Sequence, residues 1–198
     1  MARNFKGGII MLKSKRINFS PVSEEDIEWL RENRNKHKDS FFDAGEISID
    51  QQKAWYGRYK ESATDNMYIA TLKSGDKIGT IALYNIDIAS RTATLGRVLL
   101  LEEYRGYGYA EEMVRTMLRV AFEHIRLYKV KVEVHIDNIN AIAIYARSGF
   151  KSITRPIQLL EATNPNYDRK KPLVIGSYDN LSESGYESQE SNIMEGND

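Results

Sequence analysis

The 198-residue chain contains no cysteine. A disulfide framework, a thiolate metal site and a cysteine nucleophile are therefore excluded. Histidine is scarce too: His37, His124 and His135 lie far apart and lack the spacing of metal ligands, so no metal is expected. No apolar run is long enough to cross a bilayer. The apolar stretch in MARNFKGGIIML is too short for a secretory signal, so a cytoplasmic protein without a membrane partner is expected. No basic run is interleaved with aromatics, and nucleic acid is not an expected partner. Net charge is also missing, because 28 Lys and Arg balance 28 Asp and Glu. That balance hides an asymmetry. From Ser177 to Asp198 there are six acidic residues and no basic ones, which leaves residues 1–176 with 28 basic against 22 acidic. A basic body suits an anionic small ligand such as a nucleotide.

What is present centres on Arg97 to Ala110, RVLLLEEYRGYGYA. A hydrophobic strand runs into the turn Arg105-Gly106-Tyr107-Gly108-Tyr109-Ala110, which opens a long amphipathic helix. A helix start presents unpaired backbone N–H groups and the positive end of its dipole. Such a start binds phosphate or pyrophosphate, and Arg105 adds a full charge beside it. Two common phosphate loops are absent. A dinucleotide-binding turn needs a small residue where Glu111 stands, and no Lys-Ser or Lys-Thr follows a glycine loop.

Periodicity predicts one mixed α/β domain over residues 1–178. Leu12 to Phe19 reads as a strand, and Ser23-Glu-Glu-Asp caps a helix to about Arg31. Asn33 to Ser40 reads as a polar loop. Ser48-Ile49-Asp50-Gln51 is a capping box that opens a second helix to about Lys60, with Trp55, Tyr56 and Tyr59 on one side. Three antiparallel strands follow, Met67–Leu72, Lys77–Ile88 and Thr92–Leu101, the first two joined by the turn Ser74-Gly75-Asp76. A helix from Gly108 to His124 carries an apolar stripe including Met113, Val114, Met117 and Leu118, which reads as core. Lys129 to Asp137 alternates, with Val130, Val132, Val134 and Ile136 on one face and Lys131, Glu133, His135 and Asp137 on the other. Asn138 caps a short helix that ends at Ser148-Gly149. Phe150–Thr154 and Leu173–Tyr178 are further strand candidates, separated by the break Asn164-Pro165-Asn166. Residues 179–198 are acidic, poor in apolar groups and expected to be disordered.

This order of elements, with two motifs, resembles the GNAT superfamily of acyl-CoA-dependent N-acetyltransferases. Arg105-x-x-Gly108-x-Ala110 is similar to the family's pyrophosphate loop, Arg/Gln-x-x-Gly-x-Gly/Ala. Asn138-x-x-Ala141-Ile142-x-Ile144-Tyr145-x-Arg147-Ser148-Gly149-Phe150 resembles the family's Asn-x-x-Ala-Ile-x-Leu-Tyr-x-Lys-x-Gly-Phe segment. The resemblance implies a central twisted mixed sheet flanked by helices, with acetyl-CoA in a V-shaped gap between the Thr92–Leu101 and Lys129–Asp137 strands. The backbone of Val98, Leu99, Leu100 and Leu101 would meet pantetheine and polarise the thioester. Arg105, Gly106, Tyr107, Gly108, Tyr109 and Ala110 would hold the pyrophosphate. Asn138 would touch the pantetheine arm, and Tyr145 would stand near the sulfur. Dimers are common in the family, so a homodimer is compatible with the resemblance.

Acetyl transfer needs a neutral amine, whereas a primary amine with a pKa around 10 is mostly ammonium at neutral pH. A base or a water chain must remove the proton. Charge developing on the thioester oxygen calls for a fixed N–H donor, and the departing thiolate for a nearby acid. Tyr145 is the candidate acid. Glu133 is the first candidate base; its segment Glu-Val-His-Ile-Asp-Asn resembles the Glu-Val-Arg-x-Ser-Asn of relatives acting on protein N-termini. His135 is the second, its ordinary pKa near 6.5 suiting proton transfer. Arg31, Arg34, Phe41, Phe42 and Trp55 are the candidate substrate-binding residues, arginines pairing with phosphates and aromatics stacking on a base or sugar. The expected acceptor is the primary amine of a small molecule, a nucleotide-linked amino sugar being the example the pattern resembles, and the alternative is the N-terminus of a ribosomal protein. A non-catalytic CoA-binding module is the reading of another class.

Overall fold

The computed structural model of the protein describes residues 12–38, 41, 45–152 and 158–166. Its strands are β1 (Leu12–Lys13), β2 (Ile17–Pro21), β3 (Asn66–Leu72), β4 (Lys77–Asp87), β5 (Thr92–Leu100), β6 (Lys129–Val134), β7 (Lys151–Ser152) and β8 (Gln158–Thr163). Its helices are α1 (Ile27–Lys36), α2 (Ile49–Glu61), α3 (Tyr109–Arg119) and α4 (Ile139–Arg147). The eight strands make one mixed sheet in the order β1-β2-β3-β4-β5-β6-β8-β7, in which only β5 and β6 run parallel.

Alternation along the central strands loads both faces. On one face Ile81, Leu83, Leu95, Val130 and Val132 pack under α3, whose Met113, Val114 and Met117 are fully buried. Each such side chain contributes roughly 1.5–3 kcal/mol by leaving water. On the other face Met67, Ile69 and Ala82 meet Leu30 of α1 and Tyr59 of α2. The capping box expected at α2 is formed: Ser48 Oγ accepts from the Gln51 N–H, and Gln51 Oε1 accepts from the Ser48 N–H. Trp55 and Tyr56 both stack on Tyr59.

Several boundaries differ from the sequence expectation. The strand expected over Leu12–Phe19 is a hairpin, because Ser14 turns the chain through bonds from its N–H and Oγ to the Ile17 carbonyl. α1 runs past Arg31 to Lys36, through the stretch read as loop. Its asparagines satisfy backbone rather than break it: Asn33 donates to the Trp29 carbonyl, and Asn35 bonds Ile47 in both directions at 2.9 Å. The expected helix Gly108–His124 is α3 followed by a wider turn over Val120–His124. β6 stops at Val134 rather than Asp137, so Ile136 is exposed instead of facing the core. Of the strand expected over Phe150–Thr154, Lys151–Ser152 are strand, and Ile153 and Thr154 lie outside the described residues. β8 was not foreseen; it inserts between β6 and β7, and only Leu160 and Ala162 of its described side chains are buried. Leu173–Tyr178 and the acidic segment after it lie outside the described residues.

Two features of β5 create the site. Its pairing with β4 passes from Thr80↔Leu99 to Ala82↔Gly96, so Arg97 and Val98 bulge opposite Ile81. Arg97 takes a left-handed φ of 50°, and the Thr80 hydroxyl donates to its carbonyl at 2.7 Å. Bulges of this kind re-aim a strand next to active sites. Second, β5 and β6 pair only at Thr92–Thr94 with Lys129–Lys131, while both strands continue further. Beyond that point the sheet opens, as the V-shaped gap required.

Candidate active site

The helix start expected to hold an anion, the cradle, lies where β5 meets α3. Gly108, at φ 78° and ψ 4°, caps the helix in a left-handed conformation that glycine adopts without steric penalty. Glu112 N–H reaches the Gly108 carbonyl at 3.1 Å, so the amides of residues 109–111 precede the first helical bond. These are the donors that an anion can use. Arg105 stands beside them with an exposed guanidinium 3.9 Å from Glu102.

Sequence reasoning missed the support of this cradle. Arg16, from the β1–β2 turn, donates to the Tyr107 carbonyl at 2.9 Å and lies 4.5 Å over the Tyr109 ring. Its Nε bonds the buried Glu112 carboxylate at 2.7 Å; Ser14 Oγ and the Arg16 N–H hold the other carboxylate oxygen at 2.7 and 2.8 Å. Arg16 and Glu112 are 96 positions apart, and no local pattern links them. Glu111 is turned away from the cradle. Arg147 of α4 at 2.8 Å and Arg115 at 2.9 Å bind it, and they hold its carboxyl below the usual carboxylate range. The same contacts tie α3 to α4.

The split opens where β5 and β6 part. Leu101 N–H donates to the Ile78 carbonyl, so Leu101 and, two residues back, Leu99 address β4. By strand alternation Leu100 turns its backbone groups to the open side; Arg105 Nε accordingly reaches the Leu100 carbonyl at 3.4 Å. Tyr145 of α4 is 6% exposed and sits edge-on to Phe150. Burial pushes its phenol well above the usual range, so it is a neutral donor at any ordinary pH.

Tyr84 of β4, which sequence reasoning did not single out, approaches the split from the opposite face. A methyl on Gly96 would stand 2.9 Å from its hydroxyl, so Tyr84 lies across β5 at the bulge. Burial raises its pKa, with Arg97 opposing and Glu133 and Asp65 reinforcing the shift. Glu133 is exposed on β6 and belongs to none of the ion pairs among the described residues. His135 lies past the end of β6 rather than two residues along the same strand face; its carbonyl accepts from the Asn138 N–H at 2.9 Å. Asn138 caps α4, its Oδ1 accepting from the Ala141 N–H at 3.1 Å.

A cavity of about 660 Å³ opens between α1, α2 and the sheet, with Thr80, Arg97 and Leu99 at its β-sheet wall. Of the residues expected to bind substrate, Arg34, Phe41 and Trp55 line it. Arg31 does not; it pairs with Glu28 on the helix surface. Phe42 lies outside the described residues. Trp29, Arg58 and Arg97 line the cavity without having been foreseen. Glu46, the one acidic lining residue among the described residues, is engaged by Lys38 at 2.9 Å. Among the described residues no cluster of His, Asp and Glu has the form of a metal site, and no helix is long and apolar enough to cross a membrane.

A bulged strand, a split in the sheet and an anion cradle at a helix start define an acyltransferase architecture. The Acetyltransferase (GNAT) domain family matches residues 16–151, and the chain belongs to that family. It is an acyltransferase enzyme using acetyl-CoA. The chain is 23% identical over 119 residues to a spermidine N(1)-acetyltransferase of Vibrio cholerae, covering 60% of this chain and 68% of that one. Over 136 residues it is 22% identical to the Escherichia coli K12 spermidine N(1)-acetyltransferase, covering 68% and 72%. Among solved structures, the Vibrio cholerae spermidine N-acetyltransferase in complex with CoA and spermine superposes with a TM-score of 0.72 at 16% identity, over 78% of this chain and 99% of that one.

Proposed function

We propose that the protein transfers an acetyl group from acetyl-CoA to the primary amine of a small molecule that also carries an anionic, planar part, a nucleotide-linked amino sugar being the class that suits the site best. The observation that carries this is the charge of the acceptor cavity, lined by Arg34, Arg58 and Arg97 with Trp29, Phe41 and Trp55. Guanidinium forks pair with phosphates, and indole and phenyl faces stack on a base or sugar. A polyamine, the acceptor named for the relatives, brings several ammonium groups. Each pair of like charges 6–10 Å apart costs about 2–3 kcal/mol at an effective dielectric of 20, which disfavours that acceptor here. An N-terminal peptide brings no phosphate to pair with the guanidinium groups of Arg34, Arg58 and Arg97, which favours an anionic small molecule over it.

The chemistry follows from the groups around the split. The neutral amine nitrogen attacks the thioester carbon, with amides on the open side of β5, those of Val98 and Leu100, facing the developing oxyanion. The C–S bond breaks as the C–N bond forms, and the nitrogen sheds a proton. Glu133 is the favoured receiver, by direct contact or through water, because it faces the split from β6. His135 is the second choice, since it stands beyond the strand end. Tyr145 donates a hydrogen bond to the departing sulfur. Its raised pKa makes it a stabiliser of the thiolate rather than the final proton source, since an ordinary thiol titrates near 8.5. The cradle from Arg105 to Ala110 holds the diphosphate, and Asn138, already capping α4, stands at the mouth of the split beside the pantetheine path.

The test is thiol release from acetyl-CoA with nucleoside-diphosphate amino sugars, polyamines and N-terminal peptides. The expected result is amine-dependent release, fastest with an amino-sugar nucleotide and lowered 10- to 1,000-fold by Tyr145→Phe at unchanged CoA affinity. A preference for spermidine refutes the acceptor assignment. CoA binding without release for any amine would establish the non-catalytic module instead.

A further inference from the structure

We infer that Arg97 and Asp65 form a charge filter at the sheet wall of the acceptor cavity, in which Arg97 receives the anionic part of the acceptor and masks a carboxylate that would otherwise admit a cationic one. The inference rests on the acceptor site described above and names the residues that set its charge preference.

Three observations converge on Arg97. It is the bulged residue of β5, held at a φ of 50° by the pairing step and by the Thr80 hydroxyl on its carbonyl. Left-handed backbone at a non-glycine residue inside a strand is a strained state that persists where the surroundings over-determine it. Its effect here is to throw the side chain out of the strand's alternation and into the cavity, beside Thr80 and Leu99. The guanidinium is then immobilised. It lies 4.6 Å over the Tyr84 ring and 5.7 Å from the Trp55 ring, and its Nη1 bonds Asp65 Oδ1 at 2.6 Å.

Arg97 lines the cavity and Asp65 does not, so the carboxylate stands behind the guanidinium. Asp65 engages one terminal nitrogen, and a guanidinium has five N–H donors. Donors therefore remain for a ligand oxygen. Arg34 and Arg58 lie on the helical walls, whereas Arg97 sits on β5, the strand whose Val98 and Leu100 amides serve the proposed reaction. It is the cation an incoming amine must pass, and it makes that passage unfavourable for an acceptor that is itself a polycation. Without Arg97 the same position would present an uncompensated carboxylate, a receptor for ammonium.

The experiment compares wild type with Arg97→Gln, Arg97→Lys and the double variant Arg97→Gln/Asp65→Asn, with thermal unfolding and CoA affinity measured for each. The readout is kcat/KM for spermidine and for an amino-sugar nucleotide. Expected for Arg97→Gln are a rise of at least tenfold with spermidine and a fall of at least tenfold with the nucleotide. The spermidine gain vanishes in the double variant, because it depends on the unmasked Asp65. Arg97→Lys keeps the charge and stays within about threefold of wild type for spermidine, even where the bulge is perturbed. Equal spermidine rates in Arg97→Gln and the double variant, or a gain in Arg97→Lys as large as in Arg97→Gln, overturns the filter. A wild type that prefers spermidine while Arg97→Gln still gains through Asp65 refutes only the amino-sugar assignment and leaves the filter standing.

Discussion

Replacing Gly79 by alanine tests whether the bulge in β5 is as tightly built as the structure has it. A Cβ at position 79 would lie 2.0 Å from the Leu99 carbonyl oxygen, a backbone atom. Ordinary contact needs about 3.5 Å, so strands β4 and β5 must part by roughly 1.5 Å. Parting them disrupts the Leu101 N–H bond to Ile78 at 2.9 Å and the Thr80 hydroxyl bond to Arg97 at 2.7 Å. Each bond contributes about 1 kcal/mol, and the forced repacking adds about 1–3 kcal/mol, giving a loss of about 3–5 kcal/mol. For a domain of this size the melting temperature should drop by roughly 10 °C. Turnover should fall with it, because Val98 and Leu100 ride on the same strand. Two alanines serve as controls. At Gly96 the obstacle is the tip of the Tyr84 side chain at 2.9 Å, which can swing, so the loss is about 1 kcal/mol. At Gly57, inside α2, nothing lies within 4 Å, and alanine should stabilise by about 0.5–1 kcal/mol. Thermal unfolding of the three variants side by side is the assay. If Gly79→Ala melts within 2–3 °C of wild type while the other two behave as stated, the close approach, and the bulge geometry built on it, is refuted.

Glu112→Gln should weaken CoA binding about tenfold, by loosening the Arg16 grip on the Tyr107 carbonyl, and should lower stability by about 1–2 kcal/mol, the pair being half open to solvent at Arg16; calorimetry with CoA and denaturant unfolding read the two effects, and unchanged affinity would remove Arg16 from the cradle. Asp26 supplies a pH test. Burial opposes ionisation of its carboxyl, yet Lys77 at 2.6 Å and the Ser23 N–H and hydroxyl lower its pKa below the ordinary value. A lowered folded pKa gives stability that is complete above the unfolded value, about 4, and disappears as the pH falls through the folded one. Asp26→Asn should therefore be less stable than wild type at pH 7, and the difference should shrink below pH 4; a difference that is constant from pH 7 to pH 2.5 refutes the assignment.

The chain's own order made the anion cradle and the α4 motif legible, because each is contiguous. A strand, two glycines and an amphipathic helix occupy neighbouring positions, and the local rules of helix ends decide what they present. The hairpin at Ser14 and the two-residue β7 were not legible, since side-chain bonds to backbone and the pairing of β8 settled them. Arg31 and Arg34 show the limit at the site. Both are arginines of α1, three positions apart, yet one pairs with Glu28 and the other lines the cavity. Nothing in composition separates them; the packing of α2 against α1 does.

The amino-acid order by itself determined which segments are helix and strand at the centre of the sheet and where a helix start leaves its amides open, and, through two motifs that resemble a known family, that the chemistry belongs to acetyl transfer. The helices, the strands and the open helix start rest on hydrogen bonding and apolar periodicity over a few residues, which act whatever the rest of the chain does. Only the tertiary structure decided the charge of the acceptor cavity, the pairing of Arg16 with Glu112 and of Arg97 with Asp65, and the approach of Tyr84 to the split. Each joins residues from different elements, and which of them meet is set by strand register, a one-residue bulge and the docking of two helices on one face of the sheet.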